Sequence, residues 1–302
     1  MKKLIIVLFL ISIKASYCFA QSKMMLFEDS LAIYGNILNN DTIQENRTKA
    51  NYTFIKTLVS SLKEKNSFQY NYDSLQNIIS IKKSEDNKFR IFSWFTQNDD
   101  GSYRFFGAIQ INNPNKLELY PLIDQTQQIQ LSVSLPDSTL TPEKWFGAVY
   151  YQILPVLGIK EPYYILLGWK GKNLSTNHKV VETLYFKDGK PQFGTAVLEK
   201  SAKSNDFAKR IVYTYTKEAN MLLRYIKDEK MIVYDHLVAS NEEAAGMLNL
   251  YAPDLSYDGY KFKSGKWVIQ ENLKLSNLPD EDDEFFIDPA KDGQNISPVI
   301  KQ

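Results

Sequence analysis

The chain contains few of the residues on which most catalytic and metal centres depend. Its 302 residues include one cysteine, Cys18, and two histidines, His178 and His236. Two histidines exclude a three-histidine metal site, and they make a serine–histidine–aspartate triad an unattractive hypothesis. One cysteine cannot form a disulfide within the chain, so the stability of the fold has to come from an ordinary hydrophobic core.

Signature motifs of common enzyme classes are also missing. The sequence contains no HExxH, GxSxG, GxxxxGK[ST] or GxGxxG motif and no EF-hand loop. These absences do not exclude a hydrolase that works with a pair of carboxylates, because the spacing of such a pair in the sequence follows no rule. We expect no cofactor.

The N-terminus has the pattern of a cleavable secretory signal. Lys2 and Lys3 precede a short apolar run, Leu4 to Ile13, and small residues lead to Ala20. This order of basic, apolar and small residues predicts a signal peptide over residues 1–20, cut after Ala20. The apolar run is about half of the roughly twenty residues that a membrane-spanning helix needs, which argues against a permanent anchor.

Cys18 leaves open a second kind of export signal, in which a cysteine becomes the acylated first residue. The residue before such a cysteine is small, and here it is Tyr17, which argues against lipidation. If the cut follows Ala20, the cysteine is removed with the signal. The exported chain then has no thiolate nucleophile and no cysteine ligand for a metal.

Charge and hydropathy narrow the list of partners. The full chain has a net charge of +1, which falls to about −2 when Lys2, Lys3 and Lys14 leave with the signal. A nearly neutral protein has no electrostatic reason to bind nucleic acid or an anionic membrane. No second apolar run of eighteen residues occurs, so we expect a soluble, non-integral protein in the periplasm, at the cell surface or secreted.

The first part of the exported chain, residues 21–66, predicts a pair of helices. Apolar residues recur every three or four positions between residues 24 and 38 and again between 43 and 62. The polar stretch Asn39 to Asp41 separates the two runs. Two helices joined by so short a turn pack as an antiparallel pair.

From residue 67 to about 278 the pattern changes to alternation typical of strands. About a dozen short runs, rich in aromatic and β-branched residues, are separated by turns such as Asp100-Gly101 and Asp188-Gly189. The fold prediction is therefore mainly β (α+β), an N-terminal helical pair followed by a large antiparallel β-meander, sandwich or barrel-like. One strand is expected over residues 128–135 and a short helix over 241–250. Residues 136–142 are a possible boundary between two parts of the β body.

The C-terminal segment, residues 279–302, differs from the β body in composition. It begins with the acidic run Asp280 to Glu284 and is then rich in Asp, Asn, Gly and Pro. This composition predicts an acidic, partly flexible tail.

Four residues near the end of the β body are the candidate catalytic group. Asp235 and His236 are neighbours on a predicted strand, so their side chains point to opposite faces and do not form a ready-made dyad. Asp254 and Asp258 lie in a glycine-containing stretch that fits either an Asx-type turn or a calcium loop. The turn is the simpler interpretation, and no metal is expected. His178 lies in a polar stretch and is expected at the surface.

Aromatic residues suggest a second kind of site. Trp267 follows the turn at Gly265 and is expected to be the most exposed tryptophan, with Tyr257 and Tyr260 nearby in sequence. Exposed aromatic rings beside carboxylates suit a carbohydrate ligand. Packing in the core is the ordinary alternative for each ring.

Residues 145–275 resemble a family of uncharacterised exported proteins of Bacteroidetes-type bacteria. The likeness rests on four stretches, Leu184 to Gly194, Val233 to Leu237, Pro253 to Tyr260 and Gly265 to Trp267. The resemblance implies a periplasmic or surface location in a Gram-negative cell, and it implies no activity.

These observations lead to one leading hypothesis and two alternatives. The leading hypothesis is an exported, non-catalytic binding or envelope-associated module, with a glycan or an envelope protein as its partner. The first alternative is a carboxylate-based glycan hydrolase that uses Asp235, Asp254 or Asp258. The second is a structural accessory of an outer-membrane complex, which would carry an exposed apolar patch on the β body.

Overall fold

The computed structural model describes residues 23–132 and 134–274. The predicted signal peptide (residues 1–20), Cys18 and the predicted acidic tail (residues 279–302) lie outside the described residues. Among the helices that are described, none is long and apolar enough to cross a membrane.

Two antiparallel helices form the first layer. Helix α1 covers residues 23–40 of the described chain and α2 spans Gln44–Leu62. Their apolar stripes turn inward, so that Leu31, Phe54 and Leu58 are buried. Because each stripe covers only one face of its helix, both helices need a partner layer, and the first sheet supplies it.

The first sheet is a four-stranded antiparallel meander in the order β1-β2-β3-β4. Its strands are β1 (Ser80–Lys83), β2 (Phe89–Gln97), β3 (Tyr103–Ile111) and β4 (Glu118–Ile123). The Asp100-Gly101 turn joins β2 to β3, and Gly101 there has a φ of 80°, a conformation that glycine adopts without strain.

The second sheet lies at the centre of the molecule, in the order β11-β7-β6-β5, with β8 paired to β7. Its strands are β5 (Val149–Val156), β6 (Tyr163–Gly171), β7 (Thr176–Lys187), β8 (Lys190–Phe193) and β11 (Arg210–Thr216). The predicted Asp188-Gly189 turn joins β7 to β8, with φ values of 51° and 77°. Two successive positive φ angles are the mark of a type I′ hairpin turn.

The third sheet has six strands in the order β10-β9-β15-β14-β13-β12. They are β9 (Leu198–Glu199), β10 (Phe207–Ala208), β12 (Leu223–Ile226), β13 (Met231–Ala239), β14 (Tyr251–Lys263) and β15 (Lys266–Gln270). Its pairs are antiparallel except for β15 and β9, which meet in parallel where Trp267 lies beside Leu198.

The helices and the three sheets stack as four layers. Neighbours on one strand serve different interfaces: Phe92 packs under the helices, whereas Ile91 packs against the central sheet. In the same way Leu166 of β6 faces the first sheet and Ile165 faces the third. The structure thus confirms the mainly β, α+β prediction, and its open stacked sheets correspond to the sandwich-like alternative.

The prediction of a strand over residues 128–135 is wrong. The chain forms helix α3 there, Thr126–Ser132. Asp124 stabilises the N-terminal end of α3, because its Oδ1 accepts hydrogen bonds from the backbone N–H and the hydroxyl of Thr126. Ile129 is the side chain that α3 buries.

The helix predicted over residues 241–250 is interrupted. The structure has two single-turn 3₁₀ helices, Glu242–Ala244 and Leu248–Leu250. Gly246 lies between them with a φ of 86°, which an α-helix does not accommodate.

A buried ion pair ties the central sheet to the segment before it. Glu182 and Arg210 have no exposed side-chain surface, and Arg210 Nε donates to Glu182 Oε1 at 2.5 Å. Tyr150 donates its hydroxyl proton to Glu182 Oε2 at 2.5 Å and accepts from Trp145 Nε1 at 2.8 Å. Arg210 Nη1 also donates to the Leu135 carbonyl at 2.8 Å. Each charge therefore has partners that replace water.

Replacing Arg210 with methionine should destabilise the protein strongly, because Glu182 would stay buried without its cation. Loss of one partner of a buried pair costs about 3–5 kcal/mol. Lys200→Met is the matched control, since Lys200 forms half-exposed pairs with Asp137 and Asp206 and such pairs contribute about 0–1 kcal/mol. Urea unfolding measures both. Similar small losses in the two variants would contradict the role given to Arg210.

Candidate functional site

One part of the third sheet extends beyond its neighbours. The strands β13 and β14 pair with each other to their ends, where Ala239 lies opposite Tyr251. β12 pairs only with residues 231–234 of β13, and β15 pairs only with residues 259–263 of β14. Among the described strands, none pairs with the outer edges of residues 237–256, although residues 248–250 lie against β11 of the central sheet. We name residues 237–256 the distal hairpin.

The distal hairpin exposes several large apolar side chains. Met247 is 54% exposed, Leu248 50% and Leu255 87%, and Val238 and Leu250 are also exposed. The helical pair exposes a similar number, so the hairpin is distinguished by the concavity that lies beside it rather than by apolar exposure alone.

A concavity of about 390 Å³ lies beside the distal hairpin. Residues 246–249 form one wall, and the β6–β7 turn forms the other, with Thr214 of β11 between them. Asn173 fixes that turn, because its Oδ1 accepts from the backbone N–H groups of Ser175 and Thr176, both at 2.9 Å. Met247 and Leu248 lie on the hairpin side of the concavity and Lys172 lies on the other side, but most of the lining is polar.

His236 and Asp258 meet at the base of the distal hairpin. The register of β13 on β14 shifts between Asp235 and Leu237, and His236 lies in this bulge. Its Nδ1 donates to Asp258 Oδ2 at 2.9 Å. The other carboxylate oxygen, Oδ1, accepts from the backbone N–H of Asn272 at 2.9 Å. Asp258 thereby joins β13, β14 and the segment after β15.

The surroundings of His236 favour its charged form. The hydrogen bond with Asp258 raises the pKa of His236, and the nearby carboxylates of Asp254 and Glu271 raise it further, whereas partial burial opposes them. A carboxylate partner stabilises imidazolium more than neutral imidazole.

The other two predicted carboxylates are engaged locally. Asp235 is buried, and its Oδ2 accepts from the backbone N–H of Leu222 at 2.7 Å. Burial raises the pKa of Asp235, and the Lys179 cation lowers it. Asp254 is exposed, and its Oδ1 accepts from the N–H of Ser256 at 3.0 Å and from its hydroxyl at 2.6 Å.

These contacts distinguish the two interpretations of the Asp254–Asp258 stretch. Asp254 forms the Asx-type turn with Ser256, while Asp258 binds His236 and the Asn272 backbone. Within residues 23–132 and 134–274, no group of three or more His, Cys, Asp or Glu side chains is placed to hold a metal ion. The calcium interpretation therefore receives no support from the geometry.

The expectation that Trp267 is exposed is wrong. Its side chain is 3% exposed, because β15 lies inside the third sheet between β14 and β9 and turns this ring toward the central sheet. Tyr260 is 1% exposed, and its hydroxyl donates to the Glu199 carbonyl at 2.8 Å. Neither ring is available to a sugar, and Tyr257 is only half-buried.

The expectation for His178 is also wrong, since β7 begins at Thr176 and carries His178 into the interior. Its Nδ1 shares a 2.9 Å hydrogen bond with Thr214 Oγ1. Burial, together with the charges of Lys172 and Lys170, lowers the pKa of His178 to about 3. The ring is therefore neutral at any physiological pH.

Two lysines are buried near these groups. Lys170 donates to the carbonyls of Phe146 and Gly147 at 2.8 and 2.9 Å, and burial lowers its pKa to about 8. Burial also lowers the pKa of Lys179 to about 8, although Asp235 opposes that shift. Neither lysine lines the concavity beside the distal hairpin.

Sequence reasoning does not find the apolar residues of the distal hairpin, because the pattern from residue 241 to 250 predicts a helix. Residues 231–260 contain no lysine or arginine, but residues 117–143 contain none either, so this feature alone does not identify the hairpin.

Comparison with protein-family models, curated proteins and solved structures finds no match to this chain. The resemblance of residues 145–275 to exported Bacteroidetes-type proteins therefore stays a prediction.

The two histidines should titrate very differently in an NMR experiment. We expect His236 to titrate above its usual value of about 6.5 and His178 to stay neutral from pH 8 down to about pH 4. Asp258→Asn should lower the pKa of His236 and leave His178 unchanged. Because folding raises the pKa of His236, its stabilising effect is complete below about pH 6.5 and is lost as pH rises through the folded-state pKa. Titration of both rings near 6.5 would contradict this site geometry.

Proposed function

We propose that this chain is an exported, non-catalytic binding module of the bacterial envelope that docks a protein partner through the distal hairpin. The observation that carries the proposal is the group of exposed apolar side chains on that hairpin, with Met247 and Leu248 beside the concavity. Contacts of this kind, apolar at the centre and polar at the rim, are the usual basis of protein association.

The carboxylate contacts favour binding over hydrolysis. Asp235, Asp254 and Asp258 each accept a hydrogen bond from a backbone N–H, at Leu222, Ser256 and Asn272. Carboxylates held in this way fix the shape of the hairpin base. None of the three lines the concavity, whereas glycoside hydrolysis requires a pair of carboxylates at the substrate cleft.

The architecture suits a rigid carrier of a docking surface. The distal hairpin extends from the third sheet, whose inner face is packed on the central sheet. A partner therefore meets a preformed hairpin base and need not order the whole domain, which keeps the entropic cost of binding low. The export in this proposal rests on the signal pattern of residues 1–20.

Photo-crosslinking in bacterial envelopes, from single residues of this protein, tests the proposal. A crosslinking residue at Leu248 or Leu250 should capture one discrete protein. The matched controls are Tyr52 on α2 and Leu131 on α3, which are 62% and 89% exposed but lie on other elements. Equal labelling from all four positions, or none from the hairpin, would refute a docking role.

Truncation of the hairpin anchors should then reduce capture without unfolding the protein. We expect Met247→Ser with Leu248→Ser to weaken the partner's binding about tenfold or more, because anchor residues contribute about 1–2 kcal/mol each. Both side chains are half exposed, so the thermal midpoint should change little. The readout is the yield of the Leu250 crosslink, and an unchanged yield would contradict the assignment.

A further inference from the structure

The distal hairpin carries negative charge as well as apolar surface. Residues 231–260 include five acidic residues and His236 but no lysine or arginine, in a chain that has 36 of those basic residues. The acidic residues are Asp235, Glu242, Glu243, Asp254 and Asp258.

Three of these acids point into solvent beside the apolar side chains. Glu242 and Glu243 are exposed at the tip, in the turn that Asn241 caps by accepting from the Ala244 N–H at 2.9 Å. Asp254 is exposed next to Leu255. In the described part of the chain, no ion pair joins any of the three to a lysine or arginine. Their charges are therefore available to a partner.

The nearest basic group on the opposite wall of the concavity is Lys172. A partner that carries cations is favoured at Glu242, Glu243 and Asp254 and disfavoured at Lys172. Its basic side chains then lie over Glu242 and Glu243 at the tip and over Asp254 near the base, while an apolar side chain contacts Met247 and Leu248 at the edge of the concavity. Charge complementarity of this kind selects the partner and fixes its orientation.

We propose that the partner presents a basic, apolar segment to the distal hairpin, with lysine or arginine flanking the apolar side chain that contacts Met247 and Leu248. This inference rests on the proposed docking function and adds the chemistry of the partner. It commits to a protein segment, and a lipid surface is an outcome of the test.

The first test uses a synthetic peptide of alternating lysine and leucine as the probe, with a glutamate–leucine peptide as its control. Fluorescence anisotropy with the intact exported chain should show binding of the basic peptide alone, weakened as salt screens the charges. Binding of both peptides equally would overturn the inference.

Charge reversal then locates the site. The double variant Glu242→Lys and Glu243→Lys should weaken the basic peptide about fivefold to tenfold, the sum of two screened surface pairs. The matched control reverses Glu161 and Asp188, two exposed acids on the β5–β6 and β7–β8 turns. Equal losses in both double variants would mean nonspecific attraction and would overturn the inference.

Crosslinking of the envelope partner to the charge-reversal variant tests the basic-partner inference separately from the docking function on which it rests. One outcome is a protein that crosslinks at Leu248 equally well when Glu242 and Glu243 are reversed. This result would support the docking function and overturn the basic-partner inference. The absence of any crosslink removes the docking function itself. Adhesion to neutral lipid vesicles that depends on Leu248 would replace both with a membrane contact.

Discussion

Burial of the central sheet on both faces is the constraint on which the rest of the structure depends. All nine residues of β6 are buried, as are the first nine of β7. A sheet that is apolar on both sides is stable only between two other layers. The first sheet and the third sheet supply those layers, and the helical pair then covers the outer face of the first sheet.

The same constraint explains the polar groups of the interior. The β7–β11 pair brings Glu182 directly opposite Arg210 within this sheet, and both charges lose their water when the layers close. Tyr150 and Trp145 complete the hydrogen bonds that water would have made. Lys170 is satisfied by carbonyls in a similar way. A buried ion pair held by several hydrogen bonds in this way favours one packing of the layers.

The proposed docking surface lies where the layering of the sheets ends. β14 has 13 residues, whereas its neighbour β15 has five, and the excess length of β14 and β13 forms the distal hairpin. The bulge at His236 and the bonds of Asp258 hold the hairpin at its base. Residues 248–250 also lie against β11, so the central sheet supports the tip of the hairpin while its outer side chains stay exposed.

Local patterns predicted much of the fold but little of the site. The two helices and the Asp-Gly turns at Gly101 and Gly189 follow from residue spacing and from the positive φ that such turns need. The burial of His178 and Trp267 depends on which strands lie between others, a property of sheet order that local sequence does not encode. The apolar character of Met247 and Leu248 was visible, but their exposure depends on the absence of a neighbouring strand.

Hydrogen–deuterium exchange of the free protein tests whether a rigid layered body carries a hairpin that opens locally. We expect the amides of β6 and β7 to exchange only through global unfolding. The amides of residues 240–250 should exchange through local opening, faster by orders of magnitude. Equal protection of residues 240–250 and β6 would show instead that the hairpin is part of the core.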